Sequence, residues 1–374
     1  MMKRIKYNDF LKKPNVLPLS AGFFAFYSGE QALFVKSTEN LRRFVSLYCD
    51  KDNEDAGIKE LVKQIDCIEY FANDVLIESL IEEILFIQKH EPPFNKIITP
   101  WYKYIYLGIN IENPPYFKVC DDTIRDFLYL GPFRSAFALN DILDVFAELF
   151  KMPRCSCEIG DKINGCERLY ERLCLGFCQN KLGEVLPEMI NKMMMLPNKE
   201  LIDKLNFEYE ALLNDLEFQK ADTLKGQISL LKRYYKHILF FYTSQFIEGK
   251  FKVGKHELTI KDGMICEVGQ AVCHSVQSVC HSGRMTVQSE KKKNELLAYE
   301  KSEFDHRWIV FSFLYDTQPQ FIEKIFMENV VELQKDIFQN CVSFGTNDST
   351  IEMNDGTIRR QDERKEDSDT RHRR

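Results

Sequence analysis

The segment FFAFYSGEQALFVK, residues 23–36, sets the architecture that we expect for the N-terminal part of the chain. Its two aromatic and apolar runs, residues 23–27 and 32–36, are typical of strands, and the Ser-Gly-Glu-Gln between them is typical of a turn. The sequence therefore predicts a β-hairpin whose bulky side chains fill a small core.

Further elements are predicted to follow this hairpin. Apolar side chains recur at helical spacing over residues 41–48, and residues 67–71 have the composition of a third strand. Residues 74–89 have the periodicity of a long amphipathic helix that ends before two prolines. Together these segments predict a small α+β unit.

The rest of the chain alternates short strands with helices. The patterns predict strands near 104–107, 116–119 and 308–313, a turn at 129–133, helices at 136–150 and 321–338, mostly helical structure at 183–236 and a hairpin at 247–268. From residue 343 the chain has almost no apolar residues, which predicts a disordered tail.

The composition excludes several classes of protein. The 374 residues are 44% hydrophobic and include 29 Phe, so the chain has enough apolar surface for two or three small cores. A formal net charge of −7 excludes a uniformly basic surface for nucleic acid, but it is compatible with a local basic groove. Because we find no run of 18 apolar residues and no secretory signal, we expect a cytoplasmic protein with no membrane partner.

Cysteine is abundant: the chain has 12, and five of them lie between residues 155 and 178. In a cytoplasmic chain, thiolate ligands for an iron–sulfur cluster or for zinc are favoured over disulfides, and plain burial is the remaining alternative. The pairs Cys273-His274 and Cys280-His281 could also hold zinc. We favour a duplicated low-complexity linker there, because the usual Cys-x2–4-Cys spacing is absent.

Four pieces of sequence, in this order, resemble the N-terminal half of the UvrC family, the nuclease subunit of bacterial nucleotide excision repair. They are the helix segment Asn40 to Tyr48, the stretch from Glu83 to Asn95, the spaced cysteines 155, 166, 174 and 178, and the helical hairpin around Leu216-Glu217-Phe218. The likeness covers about residues 18–236, and the shorter Cho-type relatives are a second comparison.

The resemblance implies an order of domains. It implies a GIY-YIG nuclease-like domain with a small mixed sheet at 16–98, a linker with the cysteine cluster at 99–182 and a helical region at 183–238 with a UVR-like motif at about 203–238. Beyond the likeness, the sequence patterns predict a small α/β region at 247–342, to which we assign no role, and a disordered tail at 343–374. We expect neither a ribonuclease H-type domain nor tandem helix-hairpin-helix motifs, so 5′ incision is not expected.

The resemblance also implies a catalytic set. The family's chemistry uses a Glu that holds Mg²⁺, a tyrosine that acts on the attacking water and an Arg that stabilises the phosphate. Tyr48, Glu83 and Asn95 are retained, with Glu83 as the Mg²⁺ ligand. A solvated helix face beside Glu82 is the alternative for Glu83. The other positions differ: Phe24 and Phe34 replace the signature tyrosines, Lys36 the signature glycine, Ser37 the lysine and Phe44 the catalytic arginine.

These replacements predict weak or absent cleavage, because phenylalanine keeps the ring but lacks the hydroxyl group. Arg43, one residue before Phe44, is a possible spatial substitute for the arginine. The expected function is a UvrC-like repair protein that binds damaged DNA with UvrB and has lost most of its activity. The alternatives are an active Mg²⁺-dependent endonuclease that cuts once, on the 3′ side, and a free-standing cluster-binding protein with redox-sensing thiols.

The N-terminal region is basic in an acidic chain, and this local basicity predicts that Arg42, Arg43 and Lys36 contact DNA. A surface charge run with no partner is the alternative. The resemblance implies the other binding residues. A four-iron cluster is implied at Cys155, Cys166, Cys174 and Cys178, with zinc as the alternative metal. The apolar stripe expected to dock on UvrB, or else to close the hairpin, includes Leu216, Phe218, Ala221 and Leu224.

Overall fold

The computed structural model describes residues 2–50, 55–98, 103–110, 114–123, 127–155, 166–177, 185–269, 271–272 and 295–330. Over these ranges the chain forms three four-stranded sheets surrounded by helices. The α+β fold class predicted from the sequence is confirmed.

The N-terminal sheet has the strand order β1-β4-β2-β3, and all of its described pairings are antiparallel, which corrects the expected mixed sheet. A tight turn joins β2 to β3 at Gly29, where φ is +60°, and so short a connection permits only antiparallel pairing. The elements of this part are β1 (Lys3–Lys6), α1 (Tyr7–Lys12), β2 (Gly22–Ser28), β3 (Gln31–Thr38), α2 (Leu41–Tyr48), α3 (Ala56–Val62), β4 (Cys67–Ala72) and α4 (Leu76–His90).

The predicted hairpin is confirmed, with Phe26 opposite Phe34. Since neighbouring side chains on a strand point to opposite faces, the sheet has two apolar faces. Phe24, Phe26 and Phe34 belong to a core on one face, and Phe23 packs against Phe86 of α4 on the other. Helix α4 therefore covers one face of the sheet.

The remaining described elements extend from residue 105 to residue 330. They are β5 (Ile105–Ile109), β6 (Phe117–Cys120), β7 (Leu128–Phe133), α5 (Ala136–Phe150), α6 (Glu167–Tyr170), α7 (Val185–Met189), α8 (Lys199–Asn214), α9 (Phe218–Thr243), β8 (Gly249–Val253), β9 (His256–Lys261), β10 (Met264–Val268), β11 (Ala271–Val272), β12 (Glu295–Ala298), α10 (Lys301–Thr317) and a helical stretch over 319–330.

The second sheet has the order β12-β7-β5-β6, with β12 parallel to β7. The turn predicted at 129–133 is wrong, because these residues form β7. Gly131-Pro132 resembles a turn in sequence, but the pairing with β5 is irregular between Ile105 and Leu107, and such an irregularity accommodates a proline. This sheet joins the expected linker region to the expected C-terminal region, and the division into domains stays a prediction.

The hairpin predicted at 247–268 is confirmed as the meander β8-β9-β10. The helical prediction for 183–236 is also confirmed, with α8 and α9 packed as an antiparallel pair. The strand predicted at 308–313 is wrong: these residues lie in α10. Their aromatic and β-branched composition favours a strand locally, but Phe304, Phe311 and Leu314 have helical spacing and are fully buried in the core.

Helix α4 is enclosed on two sides. Its Ile77 and Ile81 belong to the same large core as Val310 and Leu314 of α10, while Phe86 meets the N-terminal sheet. Packing of α10 against α4 therefore places the C-terminal elements beside the N-terminal sheet and its helices. Among the described helices, none is both long enough and apolar enough to cross a membrane. The predicted tail at 343–374 lies outside the described residues.

Candidate functional site

An aromatic cluster lies in the core on one face of the N-terminal sheet. The ring centroids of Phe24 and Phe34 are 6.3 Å apart, and each lies within 6 Å of the Tyr48 ring. All three side chains are buried. Phe24 and Phe34 thus occupy a shared position beside Tyr48, as the resemblance implies, but their rings provide no hydroxyl group.

Glu83 is the only carboxylate among the retained positions, and it is 6% exposed. Its Oε2 accepts a 2.6 Å hydrogen bond from the backbone N–H of Ser37, and its Oε1 lies 3.7 Å from Nζ of Lys36. The alternative of a solvated face is therefore wrong for Glu83, although it suits Glu82, whose side chain is 40% exposed. Since β3 is the outer strand of its sheet, Glu83 caps one of its edge N–H groups.

Asn95 has the same role at Val35, two residues before Ser37 on β3. Its side-chain Oδ1 accepts from the N–H of Val35, and its Nδ2 donates to the C=O of Val35, both at 2.8 Å. The amide thus imitates a neighbouring strand, and a short 3-10 turn (Pro93–Lys96) holds it there. Two of the three retained family positions therefore cover the open edge of the hairpin.

Lys36 links Glu83 to a second group of charges. Burial disfavours the Lys36 ammonium, but the carboxylates of Glu83 and of Asp305 on α10 outweigh this and raise its pKa. Asp305 accepts from Arg134, at 3.0 Å from Nε and 2.8 Å from Nη2, and from the hydroxyl of Tyr104 at 2.7 Å. The Glu83 carboxylate is thus paired with Lys36, and the charge of Lys36 is also stabilised by Asp305.

Tyr48 is a poor proton acceptor in this setting. Burial, reinforced by the negative charges of Glu83 and Asp305, raises the pKa of its phenol well above the usual value. The phenol therefore stays protonated at neutral pH and takes no proton from water.

The expected DNA-contacting residues lie in different environments. Arg42 donates to the backbone carbonyls of Leu17 at 2.8 Å and Asn15 at 3.2 Å, whereas Arg43 is exposed. Lys36 faces Glu83, and Phe44 packs against the aromatic core. Of the three, Arg43 is the one whose position suits an external phosphate.

The cysteine segment is described only in part, since Cys157 and Cys178 lie outside the described residues, as do the pairs at 273–274 and 280–281. Cys155 and Cys166 are half-buried, and Cys174 lies in the large core and accepts a 3.4 Å contact from the N–H of Gly176. The described part of the chain holds no group of three or more His, Cys, Asp or Glu residues that could bind a metal. A cluster or a zinc site therefore stays a hypothesis from the resemblance.

The four expected docking residues on the helical hairpin fall into two pairs. Ala221 and Leu224 are buried within this chain, whereas Leu216 and Phe218 are 71% and 61% exposed at the turn between α8 and α9. Leu216 has a left-handed backbone, with φ of +60°, which is unfavourable for a branched residue. Phe207 on α8 is also exposed, and it was not predicted as a docking residue.

His306 gives the region a pH dependence. Burial, followed by the charges of Lys36 and Arg307, lowers its pKa to about 3, so its Nε2 stays free to accept the N–H of Ile265 at 3.0 Å. Between the unfolded pKa of about 6.5 and pH 3 the unfolded chain binds a proton that the folded chain does not, so stability falls as the pH falls.

We expect His306 to account for a loss of about 2 kcal/mol between pH 7 and pH 5. In His306→Gln the side-chain carbonyl can still accept from Ile265, but the group no longer titrates. Urea unfolding at both pH values should therefore give a smaller difference for His306→Gln than for the wild type. Equal differences would contradict the assignment.

The N-terminal sheet, its aromatic centre and the Glu83 and Asn95 contacts lie within a segment that is similar to the GIY-YIG class of domains. Residues 20–96 match the family described as "UvrC-like GIY-YIG domain". Over 233 residues the chain is 27% identical to UvrABC system protein C of Finegoldia magna, covering 59% of this chain and 38% of that protein. The corresponding protein of Methanococcus maripaludis is 28% identical over 225 residues, covering 58% and 42%. The resemblance to the UvrC family is confirmed.

Two further facts set the extent of this similarity. The chain spans about two fifths of the length of these curated relatives. The magnesium-bound GIY-YIG N-terminal endonuclease domain of UvrC from Thermotoga maritima is 20% identical and covers 24% of this chain and 99% of that one, with a TM-score of 0.22.

Proposed function

We propose that this chain is a UvrC-like nucleotide excision repair protein that binds damaged DNA together with a UvrB-like protein and does not cut it. The observation that carries the proposal is the ion pair between Glu83 and Lys36, completed by the Ser37 N–H. The positive charge of Lys36 disfavours a cation at this carboxylate, and the Ser37 N–H already occupies one of its acceptor positions.

The residues present do not fit Mg²⁺. Magnesium needs near-octahedral oxygen coordination and is usually held by one or two carboxylates together with waters. Here an ammonium lies 3.7 Å from Oε1 of Glu83, and its charge repels a divalent cation at that oxygen. The neighbouring Asp305 carboxylate is held by Arg134 and Tyr104. These side chains therefore do not support catalysis through Mg²⁺.

Water activation is also unsupported by the remaining side chains. Phe24 and Phe34 stand where the family has its signature tyrosines, and the protonated Tyr48 phenol accepts no proton. General acid–base and electrostatic groups typically contribute 10²-fold or more each, so losing several of them leaves little rate enhancement.

We expect no cleavage of a lesion-bearing or nicked duplex above background when the chain is incubated with a UvrB-like protein and Mg²⁺ or Mn²⁺. The assay should include Glu83→Gln, with Glu82→Gln on the same helix as the matched control. Cleavage by the wild type that disappears only in Glu83→Gln would overturn the proposal and support the alternative, a single-incision endonuclease. The proximity of Tyr48 to Glu83 is the observation that favours that alternative.

The proposed contact with the UvrB-like protein is the turn between α8 and α9. Leu216, Phe218 and Phe207 place three large apolar side chains in water on one helical hairpin, and exposed apolar groups of this kind commonly mark interfaces. Ala221 and Leu224 contribute by holding the hairpin in the core rather than by contact.

The double variant Leu216→Ala, Phe218→Ala should bind a UvrB-like protein at least about tenfold more weakly, since buried apolar anchors are worth roughly 1–2 kcal/mol or more each. Its stability should change by less than about 0.5 kcal/mol per site, because both side chains are exposed. Phe137→Ala, on exposed α5 surface, is the matched control. Titration calorimetry would measure the affinity of the double variant and of Phe137→Ala. Equal affinity for the double variant and the wild type would exclude this surface.

A further inference from the structure

The charges around Asp305 form an unusual internal site. Asp305 lies on α10, Arg134 directly after β7 and Tyr104 just before β5, so three distant segments meet. Arg134 donates to Oδ1 through both Nε and Nη2, and the Tyr104 hydroxyl lies 2.7 Å from each carboxylate oxygen. The carboxylate is thus surrounded by a guanidinium and a phenol.

Three neighbouring residues complete the surroundings. Burial disfavours the Asp305 carboxylate, but the positive charges of Arg134 and of Lys36 outweigh this and lower its pKa. His306 adds no charge, because its ring stays neutral and accepts a backbone N–H. Nη1 of Arg134 reaches Glu39, 2.9 Å away on the turn after β3.

A guanidinium and a hydroxyl that converge on one position are donors that proteins use for phosphate groups. We propose that Arg134 and Tyr104 form an anion site for a phosphate group, with the positive charge of Lys36 nearby, and that the Asp305 carboxylate of α10 occupies it as an internal substitute. The site lies beside Glu83, on the face where the nuclease-like unit meets α10.

Removal of Asp305 would leave equal numbers of positive and negative side chains in this group. Lys36 and Arg134 contribute two positive charges, and Glu83, Asp305 and the half-exposed Glu39 contribute three negative charges. Removal of Asp305 leaves the Tyr104 hydroxyl without this acceptor, and it leaves Nε and Nη2 of Arg134 without theirs, while Nη1 keeps Glu39. A free anion that enters this position would then stabilise the fold in proportion to its binding. In the wild type, the covalently attached carboxylate excludes such an anion.

The test is the thermal stability of Asp305→Ala with increasing inorganic phosphate at constant ionic strength, set with chloride. We expect a saturable rise of several degrees in the Tm of Asp305→Ala and none in the wild type. Acetate should also raise the Tm of Asp305→Ala, but by less than phosphate does, because acetate has one negative charge. Adding Arg134→Gln to Asp305→Ala should abolish the rise. Asp316→Asn, at the far end of α10, is the matched control and should behave as the wild type.

A second arm separates the sources of phosphate. A short duplex oligonucleotide that stabilises Asp305→Ala more than inorganic phosphate does would identify the DNA backbone as the ligand, whereas an equal effect would identify a small-anion site. If Asp305→Ala does not fold, Asp305→Asn keeps the size of the side chain and should show the same phosphate response at smaller amplitude. A folded variant with no phosphate response would overturn the proposal, as would a wild type that responds equally. This result needs neither cleavage nor a UvrB-like protein, so it is independent of the proposed function.

Discussion

Replacement of Glu83 by alanine is expected to lower the free energy of unfolding by about 3 kcal/mol, the lower end of the cost of breaking a buried ion pair. The variant leaves the Lys36 ammonium without its nearest carboxylate and the Ser37 N–H without its acceptor. We choose the lower end because the Lys36 side chain keeps 22% of its surface exposed. Urea unfolding at neutral pH would measure the loss.

Two further variants determine the cause of this loss. Glu82→Ala, on the same helix and 40% exposed, should change stability by less than about 0.5 kcal/mol. The double variant Lys36→Met, Glu83→Met should recover much of the loss, because replacing a whole buried pair by apolar groups is often neutral or stabilising. Equal effects of Glu83→Ala and Glu82→Ala would show that Glu83 is not a structural residue.

Asn95→Ala should lower the free energy of unfolding by about 2–4 kcal/mol, since it removes two hydrogen bonds and leaves a buried N–H and C=O of Val35 unpaired. The variant should destabilise the edge of β3 locally as well as lower the global free energy of unfolding. Amide hydrogen exchange at Val35 is therefore expected to accelerate more than exchange at residues of the central strand β2.

The matched control is Asn8→Ala, an exposed asparagine on α1, which should change stability by less than about 0.5 kcal/mol. An unchanged exchange rate at Val35 in Asn95→Ala would contradict the edge-covering role. Together, the Glu83 and Asn95 variants separate a structural reason for retaining these residues from a catalytic one. A purely catalytic residue would affect cleavage and leave stability intact.

Much of the N-terminal unit could be predicted from local patterns. The hairpin, the third strand at 67–71 and the long helix that became α4 follow from alternation, turn residues and helical periodicity, which act over a few neighbouring residues. Strand β1 was not predicted, because Lys3–Lys6 has no apolar alternation and forms by pairing with β4.

Two errors elsewhere have the same physical origin. Residues 308–313 have strand-like composition and residues 129–133 contain Gly-Pro, yet the first lie in α10 and the second in β7. In both cases burial against distant partners outweighed local preference, since propensities differ by only about 1 kcal/mol. Context of this kind is not contained in a short window of sequence.

The candidate site shows the same division more sharply. The residue types at positions 24, 34, 48, 83 and 95 can be read from the sequence. The loss of two hydroxyl groups follows from them, because a substitution changes the chemistry wherever the residue lies. The partners of those residues cannot be read from the sequence. Asp305 reaches Arg134 and influences Lys36 only because α10 packs against α4 and β12 pairs with β7. Charges more than a hundred residues apart interact through space, and only folding sets those distances.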